Sequence, residues 1–502
     1  MHAALTWSLP LVFALAFWAS FHPLNLGFLA WVMLVPLLVF ARRTSGKKAF
    51  LVAWLGGAIG FGACFWWVRY TVPIGPYFLG LYKGLYVALF VSGVRRWGPL
   101  SAPVLWVALE YIRSYLLTGL PWFLIGYTQH DLLHTIQIAD VGGIWLVSAL
   151  VAFVNGALVD RRLWPKVAAA AALGLSWTYG TVRLETLPMT DGPKVGIVQP
   201  NIPQDLKLLA LDADQGEKVA KETYEKHLVL TEKVAGEKPD LIVWPEAAIY
   251  FGLRWRRDRL RWIEDDWYDR CIRPSEATGT RTLIGLLVAD VEPGQRAQYS
   301  NSAVYVDPTG TIRERFDKVH LVPFAEYVPL SAALPWIREL IHKISGLRLD
   351  NMKAGEGFPT WELLGTRFGT QICFEAIFPE ISREIARNGA SFTVNISNDG
   401  WFRDSAELDQ MLAMARFRAI ENRIHVVRAT NTGISALIEP TGRIQSMIPG
   451  REVEGTLAGK VKVTSSSSLY RRGGNWIGWL AVVGTCAGVL RFIFVDRKKR
   501  TA

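Results

Sequence analysis

Cysteine is scarce in this chain: four in 502 residues, too few to build a disulfide framework. Cys64 and Cys486 fall inside long apolar runs, which leaves Cys271 and Cys373 in the polar part of the chain. That pair stays open between one bridge in an oxidising compartment and a thiol kept free for chemistry. The sequence also lacks a P-loop, a Cys-x-x-Cys and a His-Glu-x-x-His, so no cofactor and no metal is expected. No cleavable leader is expected either: His2, not a basic cluster, precedes the first apolar run, and no small-residue cleavage motif follows it. That run reads as a retained span. Acidic residues are outnumbered, 44 against 55 basic, for a net charge of +11. Such an excess can mark nucleic-acid binding, but much of it sits in short loops between apolar runs and in the tail Arg497-Lys498-Lys499-Arg500. Membrane orientation accounts for it there, and no nucleic-acid partner is expected.

What the chain has in quantity is apolar surface, with 51% hydrophobic residues. Runs long enough to span a bilayer occur at 3–20, 24–41, 49–68, 74–93, 98–117, 142–160 and 164–181, and once more at 476–496. Arg42, Arg43, Lys47 and Lys48 follow the second run, Arg95 and Arg96 the fourth, and Arg161, Arg162 and Lys166 the sixth. By the positive-inside rule these loops are cytoplasmic, as are both termini, and the polar interval after the seventh span lies outside. The expected organisation is a seven-span domain over 1–185, an external domain over 193–463, a Ser-rich linker over 464–475 and a last span with its basic tail over 476–502. Lys83, Glu110 and Arg113 are unexpected charges within the apolar block; Glu110 and Arg113, one helical turn apart, are placed to satisfy each other.

The polar interval alternates short β-rich runs with helical periodicity. Strands are predicted at Val195–Gln199, Leu241–Trp244, Thr282–Leu287, Ser302–Val306, Arg367–Ile372, Phe392–Ile396, His425–Asn431 and Ile434–Ile438, and helices at 214–236, 254–270, 378–388 and 405–423. This pattern gives an α/β layered domain beside an α-helical transmembrane bundle. Two segments stand apart: an apolar insertion at 330–349 containing Trp336, and a stretch at 250–268 interleaving Trp255, Trp262 and Trp267 with arginines. Either is an ordinary helix, or a lid or membrane-dipping element over an active site.

Three polar residues in this interval form a kit for acyl transfer. Cys373 ends an apolar strand just before a turn, where a thiol can stand clear of the sheet. Glu246 closes the strand through Val243-Trp244-Pro245, and in a parallel sheet the carboxyl ends of strands gather at one crevice, so this carboxylate can take the thiol proton. Lys318 would lower the cost of a thiolate and of a tetrahedral oxyanion.

The words around these residues carry a resemblance. Val-Trp-Pro-Glu ending at Glu246, Asp317-Lys318-Val319-His320 running on to Pro323-Phe324-Ala325-Glu326-Tyr327-Val328-Pro329, and Ile372-Cys373-Phe374-Glu375 resemble the nitrilase (carbon–nitrogen hydrolase) superfamily. With the membrane flanks, nearly the whole chain is similar to the bacterial apolipoprotein N-acyltransferases. The resemblance implies a nitrilase-like αββα sandwich flanked by membrane helices, in the inner membrane, with its catalytic domain on the periplasmic side. It implies Glu246, Lys318 and Cys373 as catalytic residues, with Glu326 and Glu375 as further acidic members of the site. The implied donor is a membrane phospholipid, phosphatidylethanolamine, and the implied acceptor the N-terminal diacylglyceryl-cysteine of apolipoproteins. The loop Asn398-Asp399-Gly400-Trp401-Phe402 looks like a pocket wall, and Trp336 belongs to the lid candidate. Two departures stand out: Phe374 replaces a typical tyrosine, and Leu208-Leu209 stands where a tryptophan is usual. A membrane-anchored amidase or nitrile hydrolase would use the same three residues with water as acceptor, and a transporter or scaffold with an external binding domain is the alternative from another class.

Overall fold

The apolar runs ahead of Pro188 fold as helices that differ mainly in where each one stops. A computed structural model describes residues 2–209, 216–256, 261–329 and 351–496, with Ser331, Leu334, Trp336 and Glu339 as single positions between. Most of the 330–349 insertion and the basic tail after 496 lie outside the described residues. Two units cluster separately: Met1–Pro188 with Ser405–Arg423 and Ser466–Ala502, and Met189–Asp404 with Ile424–Ser465.

In the first unit, three helices among the described residues are long and apolar enough to cross a membrane, Gly75–Trp97, Ala139–Val159 and Trp476–Phe494. His2–Ser20, Gly46–Cys64, Ala102–Tyr115 and Trp164–Thr186 account for four more of the expected runs. The run at 24–41 is not one helix. It breaks into a tight turn at Gly27–Trp31 and a short helix at Val35–Arg43. Asn155 makes the break tolerable: its Oδ1 accepts from Leu34 N at 2.8 Å and its Nδ2 donates to Ala30 O at 2.9 Å. In an apolar surrounding such freed backbone groups must find an internal partner. The unexpected charges are also satisfied internally. Arg113 lies 3.6 Å from Glu110 and donates to Trp122 O and Phe123 O, both at 2.7 Å, and Lys83 donates to Leu120 O at 2.9 Å.

The helix Glu407–Asn422, predicted within the 193–463 interval, clusters with this first unit. Its buried polar groups and those just after it find their partners there. Gln410 Oε1 accepts from the indoles of Trp67 at 3.2 Å and Trp122 at 2.8 Å, Glu421 Oε1 accepts from Ile144 N at 2.8 Å beside the kink at Gly143, and Arg423 pairs with Asp140 at 2.6 Å. Buried charges require such pairing, so the helix cannot leave these partners cheaply.

The second unit is built on two sheets. In chain order its strands are β1 (Thr190–Gln199), β2 (Leu241–Val243), β3 (Ile249–Arg256), β4 (Arg261–Trp262), β5 (Arg281–Val291), β6 (Gln298–Val306), β7 (Ile312–Asp317), β8 (Thr360–Leu363), β9 (Thr366–Ile372), β10 (Phe392–Ser397), β11 (His425–Thr430), β12 (Ala436–Ile438), β13 (Ile444–Met447) and β14 (Gly455–Val463). One sheet runs β14-β1-β2-β5-β3-β4, with β6 and β7 added beyond β5; the other runs β13-β12-β11-β10-β9-β8. Strands β1, β2 and β5 are mutually parallel, as are β9, β10 and β11. The sheets face each other: Tyr305 on β6 stacks on Trp361 at 5.9 Å and meets Phe368 edge-on at 5.6 Å. Helices Gly216–Ala235 and Asp266–Thr278 cover the first sheet through a core that includes Val198, Leu230, Ile242, Trp244, Cys271 and Ile284. Helix Pro379–Arg387 covers the second, where Ser382 Oγ accepts from Gln371 Nε2 at 2.8 Å. The layers are αββα, the sandwich that the sequence led us to expect.

The helix predicted at 254–270 is corrected. Residues 254–256 complete β3, β4 pairs antiparallel to it, and the helix starts only at Asp266. Asp265 explains the late start, since its Oδ1 accepts from Trp267 N and Tyr268 N as an N-cap. The interleaved tryptophans are cross-strand neighbours, with Trp255 and Trp262 edge-to-face at 4.9 Å.

Candidate active site

Glu246, Lys318 and Cys373 each follow the end of a strand of the second unit. Glu246 follows β2, and its turn is held from two sides. The Trp244 indole donates to Thr231 Oγ1 at 2.8 Å, tying β2 to the helix Gly216–Ala235, and Ala248 N donates to Gly285 O at 2.8 Å. Position 285 has to be glycine: a Cβ there would sit 2.8 Å from Glu246 Cα and closer still to Pro245 O. Lys318 follows β7, its own N–H donating to Asn301 O on β6 at 2.8 Å. Cys373 follows β9 with φ +52°, a left-handed conformation that costs a non-glycine residue about 1–2 kcal/mol. The backbone therefore turns sharply at the thiol.

The folded unit brings three charged groups together. Lys318 Nζ lies 2.9 Å from Glu326 Oε1 and 3.6 Å from Glu246 Oε1. Asn301 Nδ2 donates to the same two oxygens, at 2.7 Å to Glu246 and 2.9 Å to Glu326. The second oxygen of Glu246 accepts from Asn398 N at 3.0 Å, and that of Glu326 from Val322 N at 2.8 Å. Lys318 is only 1% exposed. Burial pulls its pKa down, but Glu326 and then Glu246 outweigh that and hold it above the ordinary lysine value. It stays an ammonium.

Cys373 is partly exposed, and its thiol interacts with Glu246, Lys318, Asp399 and Ser397. Burial first, then the Glu246 carboxylate, push the thiol pKa well above the ordinary range, and Lys318 offsets this only in part. The sulfur rests as a thiol, so its reactivity depends on a neighbouring base. Glu375 is fully buried and accepts from Val319 N at 2.7 Å, His320 N at 3.0 Å and Ile372 N at 2.8 Å. It clamps the chain after Lys318 to the residue before Cys373. Its carboxyl is raised to about 7, because burial outweighs those three donors.

Comparison with known proteins gives the family. Residues 13–157 match the apolipoprotein N-acyltransferase N-terminal domain, and residues 194–470 match the carbon-nitrogen hydrolase family. The apolipoprotein N-acyltransferase of Geobacter metallireducens is 34% identical over 514 residues, 95% of this chain and 93% of that protein. This chain belongs to the apolipoprotein N-acyltransferase family. The family member from Rhizobium rhizogenes is 32% identical, over 89% of this chain and 87% of that protein. Among solved structures, an amidase from Nesterenkonia sp. matches with a TM-score of 0.37 at 17% identity, covering 59% of this chain and 98% of that one. A nitrilase-superfamily protein of Saccharomyces cerevisiae matches with a TM-score of 0.39 at 16% identity, over 57% and 95%. The chain is an enzyme, with the carbon-nitrogen hydrolase domain of an N-acyltransferase.

Of the residues expected in an N-acyltransferase site, Glu246, Lys318, Cys373, Glu326, Glu375 and Asn398 come together. Phe374 is partly exposed and packs with Phe378 at 5.2 Å and His320 at 5.8 Å, filling the place after the cysteine with aromatic surface and no hydroxyl. Trp401 and Trp336 are 45% and 58% exposed. The Leu208 side chain lies outside the described residues. Cys271 and Cys373 are both free, and Cys271 is packed in the core, which removes the disulfide reading.

Two residues of the site were not singled out from the sequence. Asn301 joins Glu246 to Glu326; the only signal was a polar Ser300-Asn301-Ser302 at the head of a strand that is otherwise apolar. Lys207 is 3% exposed, donates to Ala247 O at 3.3 Å beside Glu246, and is lowered to about 7 by burial against the opposing pull of Glu246.

Proposed function

We propose that this enzyme N-acylates lipoproteins in two half-reactions through a thioester on Cys373. In the first, Glu246 takes the thiol proton as sulfur attacks the acyl ester of a membrane phospholipid, phosphatidylethanolamine. The C–S bond forms, the ester C–O bond breaks, and Glu246 returns the proton to the departing lysophospholipid oxygen. In the second, the α-amine of an N-terminal diacylglyceryl-cysteine attacks the thioester and gives a proton to Glu246. The C–N bond forms, the C–S bond breaks, and the sulfur recovers the proton. Lys318 faces the negative charge that develops on the carbonyl oxygen in both halves.

The observation that carries this reading is the fixed ammonium of Lys318 between two carboxylates beside a thiol that rests protonated. Such a site has the nucleophile, a base and a cation, and needs no metal to polarise an ester. The basic loops after residues 41, 94 and 160 support an inner-membrane enzyme with cytoplasmic termini and the second unit on the periplasmic face. Glu326 and Glu375 act by holding Lys318 and the Cys373 turn. Trp336, Trp401, Phe374 and Asn398 are assigned to the pocket wall or lid.

The test uses the full chain in proteoliposomes with acyl-labelled phosphatidylethanolamine and a diacylated lipopeptide. Label should appear in an amide on the lipopeptide, and with phospholipid alone as a mass increase on Cys373. Cys373→Ser should show neither. Release of free fatty acid alone would instead mark a hydrolase that uses water.

A further inference from the structure

The word Asn201-Ile202-Pro203-Gln204, just after β1, is a piece of the polar interval that the proposed reaction leaves without a task. Asn201 takes a left-handed φ of +49°, and its N–H donates to Asn431 O at 2.9 Å. The Asn431 side chain, fully buried just after β11, grips Ile202 from both sides: Oδ1 accepts from Ile202 N at 3.1 Å and Nδ2 donates to Ile202 O at 2.9 Å. Nδ2 also donates to Asn398 Oδ1 at 2.9 Å, which joins the turn after β1 to the one after β10. Asn398 completes the circuit. Its Nδ2 donates to Gln204 Oε1 at 3.0 Å, while its backbone N–H donates to Glu246 Oε2 at 3.0 Å. Lys207, three residues after Gln204, lies on the same side of the short helix Gln204–Leu209, and its Nζ donates to Ala247 O, next to Glu246, at 3.3 Å.

The two oxygens of Glu246 are not equivalent in this setting. Oε1 accepts from Asn301 at 2.7 Å and faces Lys318 Nζ at 3.6 Å, whereas Oε2 accepts only from Asn398 N among the described residues. A carboxylate oxygen has two lone pairs. Those of Oε1 both meet donors, and one on Oε2 stays open for a proton. We infer that Gln204 and Lys207 are positioning residues for the base: they grip the residue after Glu246 and the residue that serves its Oε2, and so hold the oxygen that takes the proton in both half-reactions. When the proton arrives on Oε2, the Asn398 N–H keeps the other lone pair of that oxygen, so the clamp has no need to rearrange. No bond to Gln204 or Lys207 forms or breaks in the reaction. Lys207 is 3% and Asn398 4% exposed, so water is poorly placed to replace either contact once it is lost.

The inference rests on Glu246 as the base of the proposed reaction. Full-length Gln204→Met and Lys207→Met proteins are placed in proteoliposomes with acyl-labelled phosphatidylethanolamine, and label on Cys373 is followed in single turnovers across pH and lipid concentration. Each variant should acylate Cys373 about five- to tenfold more slowly at saturating lipid, the scale of losing one hydrogen bond, with the half-saturating lipid concentration unchanged. The acid limb of the rate, where Glu246 gains its proton, should move to higher pH, because a carboxylate less firmly held on a donor N–H is easier to protonate. Aminolysis by the lipopeptide, started from enzyme already carrying the thioester, should slow by the same factor, since one oxygen serves both halves. Thermal melts report the folded fraction of each variant, and a loss of folded protein lowers the amplitude without moving the limb. A raised half-saturating lipid concentration with an unmoved acid limb would assign these side chains to lipid binding and overturn the clamp, as would normal rates or a fall in amplitude alone. Acylation of Glu246→Gln at the normal rate would instead remove the base, and the functional reading would fail separately from the clamp.

Discussion

Lys318 is the residue on which the charge balance of the site depends. It stands between Glu246 and Glu326, and without it two buried carboxylates would face each other through Asn301 alone. Lys318→Met is therefore expected to cost about 3–5 kcal/mol of stability, the scale of breaking a buried ion pair on one side, and to slow thioester formation on the order of 10²–10³-fold, the scale of losing one oxyanion donor. A thermal melt and a single-turnover assay with labelled phospholipid separate the two losses; a variant acylated at the normal rate would remove Lys318 from the chemistry. At this scale the sequence was highly informative about types. Glu246, Lys318 and Cys373 stand out because each sits in a local word of apolar and turn residues. Asn301 did not, because its role exists only where two carboxylates, 55 residues before it and 25 after it, converge on one amide. No local pattern encodes that meeting.

At the scale of elements, the site depends on how closely β5 approaches the turn after β2. Gly285→Ala would drive a methyl group against Pro245 O and Glu246 Cα, and since both are backbone atoms the turn itself must move. We expect a stability loss of about 1–3 kcal/mol and, because displacing a catalytic group by about 1 Å costs on the order of 10²-fold, a comparable fall in the rate of Cys373 acylation. Acylation at the normal rate in a folded Gly285→Ala protein would show that the turn tolerates the shift. Strands with a clear two-residue alternation or a solid apolar run, such as β9, β10 and β11, were legible in the sequence. The β3–β4 pair was not, because tryptophan and arginine interleaved over 254–262 fit helical spacing as well as cross-strand pairing. The pairing of β3 alongside β5, made by residues far apart in the chain, decided it.

For the molecule as a whole, pH enters through two histidines buried in the second unit. Burial holds His227 and His425 at about 3, against an ordinary value near 6.5, and His425 Nδ1 already accepts from Lys462 N at 3.1 Å, a bond that protonation would break. Both are neutral in the fold, so on acidification the unfolded chain takes up protons first. The stability they contribute is complete above about 6.5 and is lost as pH falls toward 3, amounting to roughly 2 kcal/mol per histidine at pH 5. Glu375, raised to about 7, acts with the opposite sign: the fold holds its proton longer, so its contribution is lost as pH rises from about 4.5 toward 7. The comparison that isolates one histidine is His425→Gln, which keeps an acceptor for Lys462 N. Its melting temperature should fall less than that of the unaltered protein between pH 7.5 and pH 5, and an equal fall in both would exclude His425 as a source of acid sensitivity.

The sequence by itself determined what depends on local pattern and composition: which runs are apolar, where basic loops interrupt them, the α/β layered class of the polar interval, and the words that hold Glu246, Lys318 and Cys373. Only the tertiary structure decided what depends on partners distant in the chain. The helix Glu407–Asn422 lies within the catalytic interval in sequence but clusters with the apolar unit, because Gln410 and Glu421, with Arg423 just beyond it, satisfy their buried polar groups against Trp67, Trp122, Ile144 and Asp140. The 24–41 run breaks because Asn155, far along the chain, can pair the backbone groups that the break exposes. In both cases the deciding term is the cost of leaving a buried polar group unpaired, and that cost depends on which groups the folded chain brings within reach.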